Sequence, residues 1–379
     1  MPPVEDKFRV LVVDDSAYNR QTITAMLESI PDVEVIGRAM NGKEALKLTF
    51  ALEPDVVTLD LEMPEMDGFS FLRLLMARRP TPVLVVSGHT GRENVFRALE
   101  LGALDFVAKP GRDISPDLKG IADELTSKIR MVKRLQAVRL VERARSLAEA
   151  QAQQSASASA PDLELDSEDG APSAPVGPAP RLVFAIAAST GGPPALQQLL
   201  CELSPKLPVA IVVAQHMPAR FTRAFAERLD RVTGFRVVEA SDNQPLSAGA
   251  VYIAPGSANV EVQYGSRGLD RPVVRVVSPQ RVGGGAPGIT PSADHLFTSV
   301  AREFGAEACV IVLTGMGSDG REGARLAHRA GATVIAEDPA TAVMPGMPHS
   351  VIETGLVHHV HKLEDLAGAL TRLAEAKTR

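Results

Sequence analysis

The 379-residue chain has no tryptophan, and aromatic side chains are only 4% of it. That scarcity leaves too few rings to build a stacking platform for single-stranded nucleic acid. Cysteine is nearly absent. Cys201 and Cys309 stand 108 positions apart and read as small buried hydrophobes in a reducing compartment, not as a disulfide framework or a zinc site. Positive charge is not in excess either. Forty Lys and Arg against 46 Asp and Glu give a net charge of −6, which argues against a protein that coats nucleic acid, although a local basic patch stays open. No apolar run approaches the roughly 18 residues of a membrane span. The opening residues Met-Pro-Pro-Val-Glu-Asp-Lys lack the apolar core of a secretion signal. The expectation is an acidic cytoplasmic protein without membrane insertion, of two or three domains at about 150 residues each.

Composition shifts sharply once. Residues 151–180 are rich in Ala, Ser, Gln, Pro and acid, with almost nothing to bury, and are expected to form a flexible linker. Ahead of it, residues 126–150 carry Ile129, Val132, Leu135 and Val138 at helical spacing, interleaved with Lys128, Arg130, Lys133 and Arg134. This reads as a helix leaving the first domain, its basic side chains forming a solvated face; a membrane-surface role is the disfavoured alternative. The domains expected are therefore 1–125, a basic extension and linker over 126–180, and 181–379.

On both sides of the linker, short apolar runs alternate with helical-period segments, the pattern of a doubly wound parallel sheet. Upstream the runs are Arg9–Val13, Val33–Arg38, Val56–Leu59, Val83–Val86 and Leu104–Val107. Downstream they are Leu182–Ala187, Val209–Ala214, Ala308–Leu313 and Thr333–Ala336, with Val251–Ala254, Val260–Tyr264 and Val273–Val277 expected as inserted antiparallel hairpins.

Ligands gather at the carboxyl ends of such strands. In the first domain those ends carry Asp14 and Asp15, then Asp60, Ser87, and Lys109 followed by Pro110. Three carboxylates from neighbouring strands suit Mg²⁺, and with one oxygen of Asp60 neutralised the other is free to attack a phosphoryl group. Lys109 supplies a point charge and Ser87 a hydroxyl donor for the phosphoryl oxygens, while Pro110 fits a cis turn. Polar residues at loop starts are common singly; five in this order are not. The stretches VLVVDDS (10–16), DVVTLDLEMPEMDG (55–68), VLVVSG (83–88) and GALDFVAKP (102–110) closely resemble the receiver domain of two-component response regulators. The resemblance implies a flavodoxin-like fold with Asp60 as phosphoacceptor and Asp14 and Asp15 as acidic metal-site residues. It further implies that the Glu62 carbonyl completes the metal shell, that Ser87 and Phe106 are the switch pair, and that Lys109 contacts the phosphate.

In the second domain the strand ends carry Ser189-Thr190-Gly191-Gly192, then Gln215-His216-Met217-Pro218, then Thr314-Gly315-Met316-Gly317-Ser318-Asp319. On one sheet rim, Ser189, His216 and Asp319 form a nucleophile, a base and an orienting carboxylate. The Ser-His-Asp order and the missing Gly-x-Ser-x-Gly set it apart from α/β-hydrolases. Alternatives stay open for each residue alone: a phosphate cradle or polar turn at Ser189, a structural histidine at His216, a helix N-cap at Asp319. His358, His359 and His361 read as a strand edge sooner than a metal tract.

AASTGGPPAL (187–196), QHMPARFTRAFAERL (215–229), VYIAPG (251–256), PSADHLFTSVA (291–301), VLTGMGSDG (312–320) and EDPATAVMPGMP (337–348) are similar to the catalytic domain of bacterial chemotaxis protein-glutamate methylesterases. The resemblance implies a Rossmann-like domain with a β-hairpin insertion, in which Ser189 is the nucleophile, His216 the base and acid, and Asp319 the carboxylate. Met316 N–H is then an oxyanion donor and Thr190 a neighbour of the imidazole. It implies receptor glutamyl methyl esters as substrates, glutamine deamidation as a second activity, a chemotaxis histidine kinase as phosphodonor, and inhibition by the unphosphorylated receiver. The chain is expected to be monomeric. Ala187, Ser257 to Asn259 and Thr290 depart from the family pattern, at positions expected on the substrate rim and away from the triad. The competing expectation is a response regulator whose output domain only binds a partner.

Overall fold

The computed structural model describes residues 7–87, 92–109, 118–134, 177–264, 271–279 and 289–378. The chain forms two compact units, divided between Asp166 and Ser167.

In the first unit, β1 (Phe8–Val13), β2 (Val33–Ala39), β3 (Val56–Leu59), β4 (Val83–Ser87) and β5 (Asp105–Ala108) form one parallel sheet in the order β2-β1-β3-β4-β5. β3 is buried along its whole length, which is why it does not alternate between apolar and exposed polar residues; even Thr58 is buried. The chain turns into helices where a polar side chain accepts the first free N–H groups. Ser16, Asn41 and Asp67 do this for the helices Ala17–Glu28, Gly42–Leu52 and Gly68–Arg78. The order reverses at β1, so the ends of β1 and β3 flank the crevice where such sheets bind ligands.

The helix expected over 126–150 is observed as Leu118–Arg134, and its continuation lies outside the described residues. Its basic face is not wholly solvated. The Lys128 side chain is 16% exposed and pairs with Asp105 at 3.0 Å and Glu124 at 3.1 Å, because the helix packs Lys128 onto the acidic start of β5.

In the second unit, β6 (Leu182–Ala188), β7 (Val209–Gln215), β8 (Arg236–Glu239) and β9 (Gln244–Pro245) are followed by β10 (Ala250–Ile253), β11 (Asn259–Tyr264) and β12 (Pro272–Val277). β13 (Ala308–Val312), β14 (Thr333–Glu337) and β15 (His359–His361) complete it. Seven of these strands make a parallel sheet in the order β15-β14-β13-β6-β7-β10-β8. β11 and β12 pair as an antiparallel hairpin joined by β9. The expectation that Val251–Ala254 belongs to the hairpins is wrong. β10 lies between β7 and β8 in the parallel sheet, and all four of its residues are buried, as a strand covered on both faces requires. β8 was not anticipated, because its two apolar residues sit between Arg236 and Glu239 at the sheet edge. β15 at the other edge bears out the strand-edge reading of the histidine tract.

Gly177 and Pro178, placed in the linker by composition, belong to this unit's packing. The Pro178 carbonyl accepts the Ala248 N–H at 2.9 Å, and Arg271 donates to the Gly177 carbonyl. Tyr252, fully buried, satisfies its hydroxyl by donating to Pro245 O and accepting from Ser247 N, each at 2.9 Å.

Candidate functional site

The first unit gathers its polar residues at the carboxyl end of the sheet. Asp14, Asp15 and Asp60 offer oxygens within 4.8 Å of one another, Asp14 and Asp60 buried and Asp15 exposed. Asp14 Oδ1 accepts from Ser16 N at 2.9 Å, and Asp60 Oδ1 accepts from Glu62 N at 3.3 Å. Lys109 Nζ donates to Asp60 and lies 3.1 Å from Asp14 Oδ2. Burial pushes the Asp60 carboxyl up to about 6 despite the lysine, with Asp14 adding to the rise. Burial also opposes the Lys109 charge, but Asp60 and Asp14 outweigh it and hold the lysine above its ordinary value. Three carboxylates this close, two of them sharing a single lysine, are a donor set suited to a divalent cation. Phe106 is 3% exposed, edge-on to Phe96 with ring centroids 6.5 Å apart, and Lys128 Nζ lies 5.2 Å from its ring centre. Ser87 ends β4 opposite Ala108 of β5. Pro110 lies outside the described residues; a cis peptide occurs at Thr290–Pro291.

In the second unit β6 lies between β13 and β7, and the chain order reverses there. Ala188 pairs with Gln215, so Ser189 and His216 are the next residues of two neighbouring strands. The His216 N–H donates to Ala188 O and the Ser189 N–H to Thr314 O, each at 2.9 Å, tying the three loop starts together. His216 Nε2 lies 2.8 Å from Asp319 Oδ2. With Nε2–H given to the carboxylate, the neutral ring keeps Nδ1 as its acceptor. Among the described residues no hydrogen bond joins the Ser189 hydroxyl to His216. The structure thus brings base and carboxylate into contact and sets the serine on the adjoining strand end.

Asp319 is not the N-cap of the helix that follows it; Gly320 occupies that position, in a left-handed conformation. Its carboxylate instead meets the start of another helix, Ala293–Phe304. It accepts from Ala293 N at 2.7 Å, Asp294 N at 3.0 Å and Ser292 Oγ at 3.0 Å. Burial raises the pKa of this carboxyl, but the His216 hydrogen bond and the two backbone N–H groups outweigh it and leave it below its ordinary value. Asp319 therefore stays ionised while 8% exposed.

Three residues that the sequence reading left without a role support this frame. Thr314, fully buried, accepts the Ser189 N–H, donates its hydroxyl to Thr190 O at 2.8 Å, accepts Met344 N at 2.8 Å, and gives its own N–H to the buried Glu337 at 2.8 Å. Asn259 Oδ1 accepts Ser292 N at 2.8 Å, and Ser292 in turn holds Asp319. The departures from the family pattern are therefore not confined to a rim away from the triad. Asn259 is buried two hydrogen bonds from Asp319 and three from the base, and Ala187 is fully buried in β6 with its carbonyl accepting the Leu313 N–H. Ser257 is exposed and Thr290 half-buried. A signal for Ser292 was present, since Ser-Ala-Asp before an apolar helical period is a helix start. None marked Thr314 or Asn259, whose partners are remote in sequence.

The Met316 N–H has no protein acceptor among the described residues, whereas the neighbouring Gly315 N–H is taken by Met344 O at 2.9 Å. A Cβ on Gly315 would stand 2.8 Å from Ser189 Cβ, so only glycine lets this loop lie against the serine. Thr190 is buried, its carbonyl held by Thr314. No described helix is long and apolar enough to cross a membrane.

Comparison with known proteins adds to this geometry. Residues 184–370 match the CheB methylesterase family and residues 10–115 the response regulator receiver domain. The chain is 46% identical over 366 residues to protein-glutamate methylesterase/protein-glutamine glutaminase 3 of Geobacter sulfurreducens, covering 95% of this chain and 96% of the relative. It is 45% identical to a protein of the same name, numbered 1, from Myxococcus xanthus, covering 97% of each chain. A third relative of that name, numbered 6, from Anaeromyxobacter dehalogenans, is also 45% identical, covering 97% of this chain and 95% of its own. Matched nearly end to end with such relatives, and carrying a receiver ahead of the esterase region, this chain belongs to the CheB methylesterase family.

Proposed function

We propose that the chain is a phosphorylation-controlled hydrolase that removes methyl esters from glutamyl side chains of chemoreceptors, with deamidation of particular glutamines as a second activity. The observation that carries it is the His216–Asp319 hydrogen bond at the strand end adjoining Ser189. The Ser189 hydroxyl attacks the ester carbonyl as His216 Nδ1 takes its proton, giving a tetrahedral adduct whose oxyanion the Met316 N–H stabilises. The imidazolium, steadied by ionised Asp319, returns the proton to the methoxide, and methanol leaves. Water, deprotonated by the same nitrogen, then cleaves the acyl-serine to the glutamate carboxylate and restores Ser189. A carboxamide takes the same path with ammonia leaving, which accounts for deamidation. Thr190 closes the nucleophile loop beside the imidazole.

In the receiver, Asp60 accepts the phosphoryl group from a chemotaxis histidine kinase. Asp14, Asp15 and Asp60, with the Glu62 carbonyl, would hold Mg²⁺, which neutralises charge between the carboxylate and the phosphoryl oxygens. Lys109, already on Asp60 and Asp14, balances the remaining charge, and Ser87 and Phe106 respond to the new phosphoryl oxygens. The protein acts as a cytoplasmic monomer.

A serine-directed alkyl phosphonate tests the esterase reading. It should label the full-length protein once, at Ser189, and not label Ser189→Ala. Labelling elsewhere, or none, would favour an output domain that only binds a partner.

A further inference from the structure

We propose that Gln215 is a positioning residue that staples the nucleophile loop to the base loop; the inference rests on the roles given above to Ser189 and His216. Gln215 ends β7 and is 1% exposed. Its Nε2 donates to the carbonyl of Ser189 at 2.9 Å and to the carbonyl of His216 at 3.0 Å. One amide nitrogen thus spends both of its hydrogens on the backbones of the two residues between which the proton must move.

The orientation of this amide follows from its surroundings. Turned over, it would set its oxygen against two carbonyl oxygens, a buried acceptor facing acceptors, which is strongly unfavourable. The cost of the observed orientation falls on Oε1, which is buried and has no hydrogen-bond partner. That oxygen lies where a Cβ on residue 192 would be, so the glycine there makes room for it. The Gly192 N–H donates to the same Ser189 carbonyl at 2.8 Å, so this carbonyl is held from two sides. A buried unsatisfied oxygen is unfavourable, and its retention argues that the two bonds on the nitrogen matter more than packing. Backbone hydrogen bonds hold the amides of these turns, His216 N–H on Ala188 O and Ser189 N–H on Thr314 O; the side chain of Gln215 adds the bond that joins the carbonyls of both turns. Proton transfer is steep in distance and angle, so a small relaxation of either turn lowers turnover without changing how substrate docks.

Gln215→Met keeps the side-chain length and removes both donors. In the full-length protein, kcat for methanol release from methylated receptor should fall about tenfold or more, with KM within about twofold of the parent. The rate of phosphonate labelling at Ser189 should fall in parallel. A folded Gln215→Met protein with kcat within about threefold of the parent, or a loss that lies in KM, would overturn the proposal. If Gln215→Met gives no cooperative unfolding transition, Gln215→Glu decides in the same way. It is nearly isosteric and turns acceptors toward the two carbonyls, so parental kcat in it also overturns the proposal. Failure of the parent itself to label at Ser189 would count against the esterase reading, whereas equal labelling of parent and variants would count against Gln215.

Discussion

Asp319 Oδ2 accepts from both His216 Nε2 at 2.8 Å and Ala293 N at 2.7 Å, so one carboxylate oxygen joins the imidazole to the start of a helix. Four donors converge on this side chain once Asp294 N and Ser292 Oγ are included. An asparagine there offers one acceptor oxygen and turns an NH₂ toward donors. Asp319→Asn should therefore cost about 1–3 kcal/mol of stability in the catalytic unit as well as activity. Ser189→Ala should leave stability close to that of the parent. Denaturant unfolding of the two variants beside methanol-release rates separates these effects. Asp319→Asn at parental stability would mean that the helix start does not depend on the carboxylate.

The same carboxylate sets a pH dependence. Its folded pKa lies below the ordinary 3.8, so between those two values the unfolded chain binds the extra proton. Its contribution is fully present above about pH 4 and is lost as pH falls through the folded pKa. The stability gap between parent and Asp319→Asn should accordingly hold from neutral pH to about 4 and narrow below it. Unfolding curves at stepped acidic pH measure this, and a gap that widens on acidification would reverse the sign and refute the assignment.

Ser189 and His216 act on one proton. Ser189→Ala and His216→Ala should each lower hydrolysis by roughly three to six orders of magnitude, and the double variant should be little slower than either single one. Steady-state methanol release from the three proteins is the measurement. Additive losses would mean that the two side chains work in separate steps.

Strand ends were legible because a strand buried on both faces spells an apolar run, and whatever polar residue follows it stands on the rim. That logic places Asp60, Ser189 and His216 on the rims from the pattern of residues alone. It misplaced β10, whose four residues look the same in a hairpin as in a parallel sheet, and it overlooked β8, with two apolar residues at an edge. Asp319 was legible as a polar loop residue, but its helix partner was not, since Ala293 is 26 positions away. Thr314 and Gln215 were hidden for a related reason. Their work is done through backbone carbonyls, which carry no residue identity.

Asp60 should take a phosphoryl group from a small phosphodonor only when a divalent cation is present, and Asp60→Asn should take none. Asp15→Asn removes one anionic ligand from a set spanning 4.8 Å and should raise the Mg²⁺ concentration needed for half-maximal uptake. Phosphoprotein mass measured with and without Mg²⁺ decides both points. Uptake in the presence of a chelator, or on another residue, would contradict the assignment.

Control of hydrolysis by Asp60 requires that phosphorylation change the balance between a hydrolytically blocked and an open form of the full chain. Removing the receiver reveals the sign of its influence. The cut must respect the packing of the catalytic unit: Ala248 donates to Pro178 O and Arg271 to Gly177 O, so a fragment begun at Arg181 would strip two backbone acceptors from half-buried residues. A fragment beginning just ahead of Gly177 keeps them. If the unphosphorylated receiver inhibits, as the family resemblance implies, this fragment hydrolyses methylated receptor faster than the unphosphorylated full chain at equal concentration. A phosphodonor with Mg²⁺ should then raise the rate of the full chain and leave the fragment unchanged. Full-chain Asp60→Asn should stay at the low basal rate under both conditions, which shows that the response passes through the phosphoacceptor. A folded fragment no faster than the full chain would mean that the receiver activates or recruits, and the inhibitory reading would be abandoned.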